Sequence, residues 1–99
     1  MKVGFVCSFG MSTYLVGNLV EKAAKANNME LTMEAFPASE VETRIDEFDI
    51  ILLGPQLKYK APEIQESATR HQKKFAVIPI EVYGSMDGEV ILRFILGME

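Results

Sequence analysis

The stretch D-I-I-L-L-G-P, residues 49–55, holds four consecutive aliphatic side chains and ends in a glycine-proline pair. An unbroken apolar run is typical of a parallel strand covered on both faces, whereas a strand with one solvated face alternates apolar and polar residues. We therefore predict that this run is a central strand of a parallel sheet. Gly54 and Pro55 end the strand and begin a loop over residues 54–60.

Three more strands and four helices are predicted around this strand. Short apolar segments predict strands over residues 3–7, 31–36 and 75–80. Helices are expected from residue 12 to about 26, from 39 to about 46, from 62 to about 70, and from 89 to 98. A turn containing glycines is predicted over residues 83–88. The four alternations of strand and helix define the expected order of elements.

Particular side chains support these helices. Ser39 and Glu42 have the spacing of a capping box at the start of the second helix. Leu15 belongs to the apolar stripe of the first helix, and the stripe of the last helix includes Val90 and Ile91 together with Phe94 and Ile95. We expect these apolar side chains to face the core.

The repeated alternation of strand and helix predicts an α/β fold. It implies a four-stranded parallel sheet whose right-handed crossovers leave helices on both faces. The 99 residues match one small domain, so we predict a single domain over residues 1–99. Ligands of such sheets bind at the carboxyl ends of the strands. The loops expected there follow the first, third and fourth strands.

Composition excludes several classes of function. The net charge is −4, so the basic face that binds nucleic acid is absent and we expect no nucleic-acid partner. No apolar stretch approaches the roughly 20 residues needed to cross a bilayer, and the first apolar segment is too short for a signal peptide. A cytoplasmic protein is therefore expected. One cysteine cannot form an internal disulfide, and a reducing compartment would keep it as a thiol.

That cysteine lies in V-C-S-F-G-M-S-T, residues 6–13, where the first strand gives way to the first helix. Such a turn directs unpaired backbone amides and the positive end of the helix dipole at one point, which suits a tetrahedral oxyanion. Gly10 lets the backbone approach an anion closely. The same field favours the thiolate of Cys7, which is the nucleophilic form. We predict a P-loop-like phosphate-binding loop with Cys7 as its nucleophile, while a buried core residue is the alternative.

The loop departs from related phosphate-binding motifs. It lacks the lysine of a nucleoside-triphosphate P-loop and the second cysteine of a dithiol motif. In cysteine-dependent phosphatases the sixth position after the cysteine is an arginine that clamps the phosphoryl group, and here that position is Thr13. A phosphoryl carrier therefore fits better than a hydrolase. A low-molecular-weight phosphatase-like hydrolase and a non-catalytic binding module with a buried Cys7 remain as alternatives.

Three ordered motifs resemble the enzyme IIB component of the lactose/cellobiose (chitobiose) class of sugar phosphotransferase systems (PTS). The first is C-S-F-G-M-S-T, residues 7–13; the second is Gly54-Pro55-Gln56 with Tyr59; the third is Y-G-S-M-D-G, residues 83–88. The resemblance covers nearly the whole chain. One departure is Phe9, where the family commonly has a small residue such as alanine. It bears on the rim of the loop and on partner contacts.

The resemblance implies a phosphotransferase that needs no cofactor. A IIA protein phosphorylated on histidine would donate to Cys7, which would pass the group to a β-linked disaccharide bound in the membrane-embedded IIC transporter. The implied phosphoryl-binding residues are those of the loop: Ser8, Phe9, Gly10, Met11, Ser12 and Thr13. Possible rim or partner contacts are Gln56, Tyr59 and Tyr83. We expect a monomer that associates transiently with the inner face of the membrane through IIC.

Three charged segments carry further predictions. His71 lies in the polar run of residues 70–74, where a solvated helix end is favoured over a second phosphoryl carrier. Asp46, Glu47 and Asp49 are spaced as a charged turn, so no metal site is predicted. Lys58 and Lys60 fall near the predicted rim and would attract an acidic partner.

Overall fold

This computed structural model describes residues 1–7 and 11–98, and for residues 11–14 it describes the backbone alone. Four strands form one sheet: β1 (Lys2–Val6), β2 (Thr32–Phe36), β3 (Ile50–Leu53) and β4 (Lys74–Val77). Their order across the sheet is β2-β1-β3-β4, and every neighbouring pair is parallel. The apolar run of residues 50–53 is β3, which is buried along its whole length between β1 and β4. The prediction of a central parallel strand is confirmed.

Within residues 1–7 and 11–98, five α-helices connect or follow the strands: α1 (Met11–Ala26), α2 (Val41–Arg44), α3 (Ala61–Arg70), α4 (Ile80–Gly84) and α5 (Gly88–Leu96). Short 3-10 helices flank α2 at Ala38–Glu40 and Ile45–Glu47, and another, Pro55–Lys60, follows β3. Pro62 lies in the first turn of α3, as its fixed φ angle and missing N–H predict. Within the described residues, no helix has the length and apolar character needed to cross a membrane.

The sheet separates two apolar cores. One core lies under α1 and α5 and includes Val3, Phe5 and Cys7 from β1 and its end. The other lies under α2 and α3 and includes Val6, Phe36 and Phe48. Alternate residues of β1 thus point to opposite faces, as a strand requires. The predicted α/β fold with helices on both faces is confirmed.

Three sequence predictions on the α1 and α5 side were wrong. The fourth strand ends at Val77 instead of residue 80, and the residues that follow form α4, so Tyr83 lies on a helix and not in a turn. Pro79 is the N-cap of α4 and has no N–H to extend the strand. Val90 is 36% exposed and Leu15 is 51% exposed, although both were expected in the core.

The predicted capping box at Ser39 and Glu42 is also wrong. The helical segment starts with a 3-10 turn whose N-cap is Pro37, and no side chain caps either this turn or α2. Glu42 instead contacts α3. A side-chain cap does occur at α5, where the carboxylate of Asp87 accepts from the N–H of Glu89 at 3.0 Å.

Candidate functional site

Cys7 follows the last residue of β1, at the carboxyl edge of the sheet. Its backbone N–H donates to the carbonyl of Phe36 at the end of β2, over 3.2 Å. On the other side of β1, the N–H of Gly54 donates to the carbonyl of Val6 over 2.8 Å. The backbone at Cys7 is therefore held between the ends of two neighbouring strands, which is where ligands of parallel sheets bind.

The side chain of Cys7 is buried, with 3% of its surface exposed. It belongs to the core beneath α1 and α5, together with Phe5 and Val16. Burial and nucleophilic reactivity are the two alternatives predicted for this cysteine. The structure establishes the burial, so bulk water has little access to Sγ.

The start of α1 has the electrostatic character that an anion requires. The helix begins at Met11, four residues after Cys7, and its first turn carries no acidic side chain. Amides of a first helical turn have no acceptor within the helix, and the helix dipole adds partial positive charge. No carboxylate in that turn opposes a phosphoryl group.

The structure describes the predicted phosphoryl-binding residues only in part. Ser8, Phe9 and Gly10 lie outside the described residues. The backbone of Met11, Ser12 and Thr13 is helical, and their side chains are not among those described. The role of all six residues as phosphoryl ligands stays a prediction.

The segment after β3 presents two of the predicted rim residues to solvent. It is a 3-10 helix instead of the predicted loop, and Leu57 anchors it in the core. Gln56 is exposed, but its Oε1 lies close to Gly54. A Cβ added at Gly54 would be 3.1 Å from this oxygen. Tyr59 is 74% exposed, and Nζ of Lys60 lies 5.7 Å from the centre of its ring. Both predicted rim residues of this segment therefore lie at the carboxyl edge.

Tyr83 lies at the same edge and differs from Tyr59 in its burial. It is half-buried on α4, and its ring packs edge-on against Phe5 with the ring centres 6.1 Å apart. Because Phe5 and Cys7 share one core, Tyr83 closes that core on the side where Cys7 lies. A tyrosine that closes the edge of a core is the alternative to a partner contact at such a position. The structure shows the core-edge position for Tyr83 and an exposed position for Tyr59.

Exposed side chains follow three of the strands that end at this edge. We call Leu15, Lys58, Tyr59 and Ile80 the rim surface, because each follows the carboxyl end of β1, β3 or β4. Ile80 is 68% exposed and was missed by the sequence analysis, which assigned it to a strand. The signal that was available is Pro79, which ends the strand just before it. Lys58 and Ile80 line a groove of about 480 Å³ together with Pro55, Val77, Ile78, Pro79 and Glu81.

The opposite face of the sheet carries a charged cluster that joins α2 to α3. Glu42 accepts from the hydroxyl of the buried Ser67, and its Oε1 lies 2.7 Å from Nη2 of Arg70. The Ser67 hydroxyl holds the pKa of Glu42 below its ordinary value of 4.5, and the charges of Arg70 and His71 act in the same direction. We call Glu42, Asp46, Ser67, Arg70 and His71 the α2–α3 cluster.

His71 belongs to this cluster and not to the carboxyl edge. Its Nδ1 lies 3.1 Å from Oδ1 of Asp46, and its Nε2 lies 3.7 Å from Oε2 of Glu42. The helix end that carries it leads into β4, so His71 is at the amino edge of the sheet, away from Cys7. It is half-buried between carboxylates, whereas a solvated helix end was expected. Within the described part of the chain, no three His, Cys, Asp or Glu side chains gather as a metal site.

A second set of charged residues on this face surrounds Arg44. Its guanidinium lies over the stacked rings of Phe36 and Phe48, 5.0 and 5.5 Å from their centres. It also pairs with Glu34 and with Glu47, and these contacts raise the pKa of Arg44 and lower that of Glu47. The lowered pKa values of Glu42 and Glu47 and the raised pKa of Arg44 therefore belong to the face away from Cys7.

Comparison with known proteins identifies the family. A family model described as "PTS system, Lactose/Cellobiose specific IIB subunit" matches residues 2–94. The oligo-beta-mannoside-specific EIIB component of Bacillus subtilis (strain 168) is 28% identical over 88 residues, which is 89% of this chain and 85% of that protein. The cellobiose-specific EIIB component of Lactococcus lactis subsp. lactis (strain IL1403) is 27% identical over 95 residues, covering 91% of this chain and 88% of the relative.

Solved structures agree with this match. The lactose-specific IIB component domain of Streptococcus pneumoniae superposes with a TM-score of 0.90 over 99% of this chain and 96% of that one; at 17% identity this shows the fold alone. The solution structure of a cellobiose-specific phosphotransferase IIB component from Borrelia burgdorferi is 31% identical, with a TM-score of 0.80 over 99% of this chain and 90% of that one. The chain, with Cys7 at the carboxyl edge of its parallel sheet, belongs to the lactose/cellobiose-specific IIB subunits of the PTS.

Proposed function

We propose that this chain is a phosphoryl carrier in which Cys7 accepts the group from a phosphohistidine of a IIA protein and passes it to a sugar bound by IIC. The observation that carries the proposal is the position of Cys7. The cysteine directly follows the central strand β1, and α1 begins four residues later with no acidic side chain in its first turn. Membership of the IIB family supports the same role.

The chemistry is two successive displacements at phosphorus. In the first, Sγ of Cys7 loses its proton and attacks, the P–N bond of the phosphohistidine breaks, and an S–P bond forms. In the second, a sugar hydroxyl attacks the phosphorus, the S–P bond breaks, and the thiolate is restored as the hydroxyl proton leaves. Backbone amides of residues 8–13 would stabilise the charge on the phosphoryl oxygens.

The residue at the sixth position after Cys7 supports a carrier over a hydrolase. A phosphatase loop has arginine there to clamp the phosphoryl group, whereas this chain has Thr13. A phosphocysteine at position 7 would persist until an acceptor docks.

The rim surface is the proposed docking site for the two partners. Its exposed apolar members, Leu15, Tyr59 and Ile80, each follow a strand that ends at the edge where Cys7 lies, and Lys58 adds a positive charge to a chain with a net charge of −4. IIA and IIC need the same edge and would therefore bind in turn. Gln56 and Tyr83 are proposed as further contacts. This cycle would run at the cytoplasmic face of the membrane.

The relatives' names suggest the class of sugar. They print oligo-beta-mannoside, galactose and cellobiose specificities. We extend this to a β-linked disaccharide as the final acceptor, recognised by the IIC partner. Neither displacement requires a cofactor.

The test is reconstitution of the relay with phosphoenolpyruvate, the general PTS proteins, a IIA protein and membranes that contain IIC. Wild-type protein is expected to support formation of sugar phosphate, and Cys7→Ser to support none. Hydrolysis of an aryl phosphate is measured in parallel. Cys7-dependent release of the phenol, without sugar phosphorylation, would replace the carrier with the phosphatase-like alternative.

A further inference from the structure

Two helices approach each other closely on the Cys7 side of the sheet, where the start of α5 meets the middle of α1. A Cβ added at Gly88 would be 2.2 Å from the carbonyl oxygen of Leu19 and 2.7 Å from its carbonyl carbon. Real Cβ atoms essentially never come within 3.0 Å of another heavy atom. Because the atoms in the way are backbone, a rotamer change cannot relieve the contact. A side chain at position 88 would fit only if one helix moved away from the other.

A second contact fixes the same pair of helices. Nδ2 of Asn27, just after the end of α1, donates to Oε1 of Glu89 in α5 over 2.9 Å. The same Nδ2 donates to the carbonyl of Ala23 over 2.8 Å. One contact lies at Leu19 within α1 and the other lies just beyond its end, so together they constrain the distance of α1 from α5 at two points.

A displacement at the Gly88 contact would extend to the proposed phosphoryl site, because a helix transmits displacement along its length. The carbonyl of Leu19 is eight residues from Met11, about 12 Å along the axis at the rise of an α-helix. Relieving the contact at Gly88 requires a shift of roughly 1 Å. A misplacement of about 1 Å far from the reacting atoms can lower a rate about a hundredfold.

We infer that Gly88 is a positioning residue, whose missing side chain holds the start of α1 against Cys7 at the distance that phosphoryl transfer requires. This inference rests on the proposed carrier function. Gly88 acts through α1 and touches neither phosphoryl group nor partner. Its φ angle is negative, so the demand for glycine here is the space taken by the Leu19 carbonyl and not the backbone conformation.

The chain offers a matched control in Gly84, four residues earlier. A Cβ added there would meet no atom within 4 Å, and its φ angle is also negative. Gly88→Ala and Gly84→Ala therefore make the same chemical change in the same corner of the fold, and only the first inserts an atom into a helix contact. Asn27→Asp is a third variant, which adds no bulk and sets a carboxylate against Glu89.

Two readouts separate positioning from general stability. The first is the rate of phosphoryl acceptance from phosphorylated IIA at increasing donor concentration, which divides the effect between kcat and KM. The second is the dependence on pH of the rate at which iodoacetamide alkylates Cys7 in the native protein, which reports the electrostatic influence of α1 on the thiol. Urea unfolding at the same pH identifies variants that are simply unfolded.

Gly88→Ala is expected to lower kcat about tenfold to a hundredfold with little change in KM, and to displace the alkylation profile to higher pH. Gly84→Ala is expected to match wild type in kcat and in the alkylation profile. Asn27→Asp is expected to change these two quantities in the same direction as Gly88→Ala, by a smaller factor. A folded Gly88→Ala with a wild-type alkylation profile would overturn the inference, whatever its transfer rate. If Gly88→Ala does not fold, a wild-type profile for Asn27→Asp overturns it.

The experiment distinguishes this inference from the carrier proposal. If wild-type protein accepts no phosphoryl group from IIA, the carrier function is wrong. The alkylation profiles then still decide whether Gly88 controls the environment of Cys7.

Discussion

The two faces of the sheet are built in different ways. On the Cys7 face, α1 and α5 meet through apolar side chains and a backbone contact at Gly88. On the other face, α2 and α3 also cover an apolar core, but ion pairs at the α2–α3 cluster and at Arg44 hold the surrounding segments. The two faces should therefore respond to different kinds of change. Changes in packing should disturb the proposed chemistry, whereas changes in pH should act first on the charged face.

The largest effect on stability should separate two neighbours on α5. Ile91 is fully buried and Val90 is 36% exposed. Ile91→Ala should lower the free energy of unfolding by about 2–5 kcal/mol, because it removes buried methyl groups and leaves a cavity. Val90→Ala should change it by less than about 0.5 kcal/mol. Urea titration of the two variants measures both values, and equal losses would mean that α5 is rotated from the position described.

A smaller effect, confined to acid pH, should come from the charged face. The pKa of Glu42 is lowered in the folded protein, so its contribution to stability is fully present above the unfolded value of about 4.5. That contribution is lost as pH falls through the lower folded pKa. Glu42→Gln should therefore be less stable than wild type at pH 7, and the difference should shrink below pH of about 4.5.

The measurement is urea unfolding at several pH values between 7 and 3, with Glu66→Gln on an exposed position of α3 as the matched control. Because Glu66 is exposed, the control should stay within about 0.5 kcal/mol of wild type at pH 7. Phosphoryl acceptance at pH 7 should be the same for Glu42→Gln and wild type, because the α2–α3 cluster lies away from the carboxyl edge. A large loss of transfer in Glu42→Gln would show that the two faces are not independent.

The smallest effect should come from the rim surface. Tyr59 is 74% exposed, so Tyr59→Ser should leave the free energy of unfolding within about 0.5 kcal/mol of wild type. If Tyr59 contacts IIA, the same change should raise KM for phosphorylated IIA several-fold and leave kcat unaffected. Val90→Ser, an exposed apolar residue on α5, is the control. Identical KM values for Tyr59→Ser and wild type would remove Tyr59 from the docking site.

Sequence patterns predicted the sheet well because each strand is a separate apolar run. Residues 50–53 identified the central strand, and the alternation with helices then fixed parallel strands with helices on both faces. It was harder to predict which side of each helix faces the core. In α5 six of nine residues are apolar, so the pattern did not single out Val90 as exposed, and only its packing on α1 decides that orientation.

Contacts between distant residues were not predictable from local motifs. Glu42 has the spacing of a capping residue relative to Ser39, but it pairs with Ser67 and Arg70, which lie 25 and 28 residues away. The close approach of Gly88 to Leu19 is equally hidden in the sequence. At the candidate site, the position of Cys7 at the end of a strand followed from the apolar run before it, whereas its burial depends on α1 and α5.

The central claim is that Cys7 carries the phosphoryl group. The most direct test is the intact mass of the protein after incubation with phosphoenolpyruvate, the general PTS proteins and IIA, with Cys7→Ser and a working IIB protein in parallel. We predict one phosphoryl adduct on wild type and none on Cys7→Ser. An adduct that survives in Cys7→Ser, or no adduct on wild type while the control IIB is phosphorylated, would contradict the account.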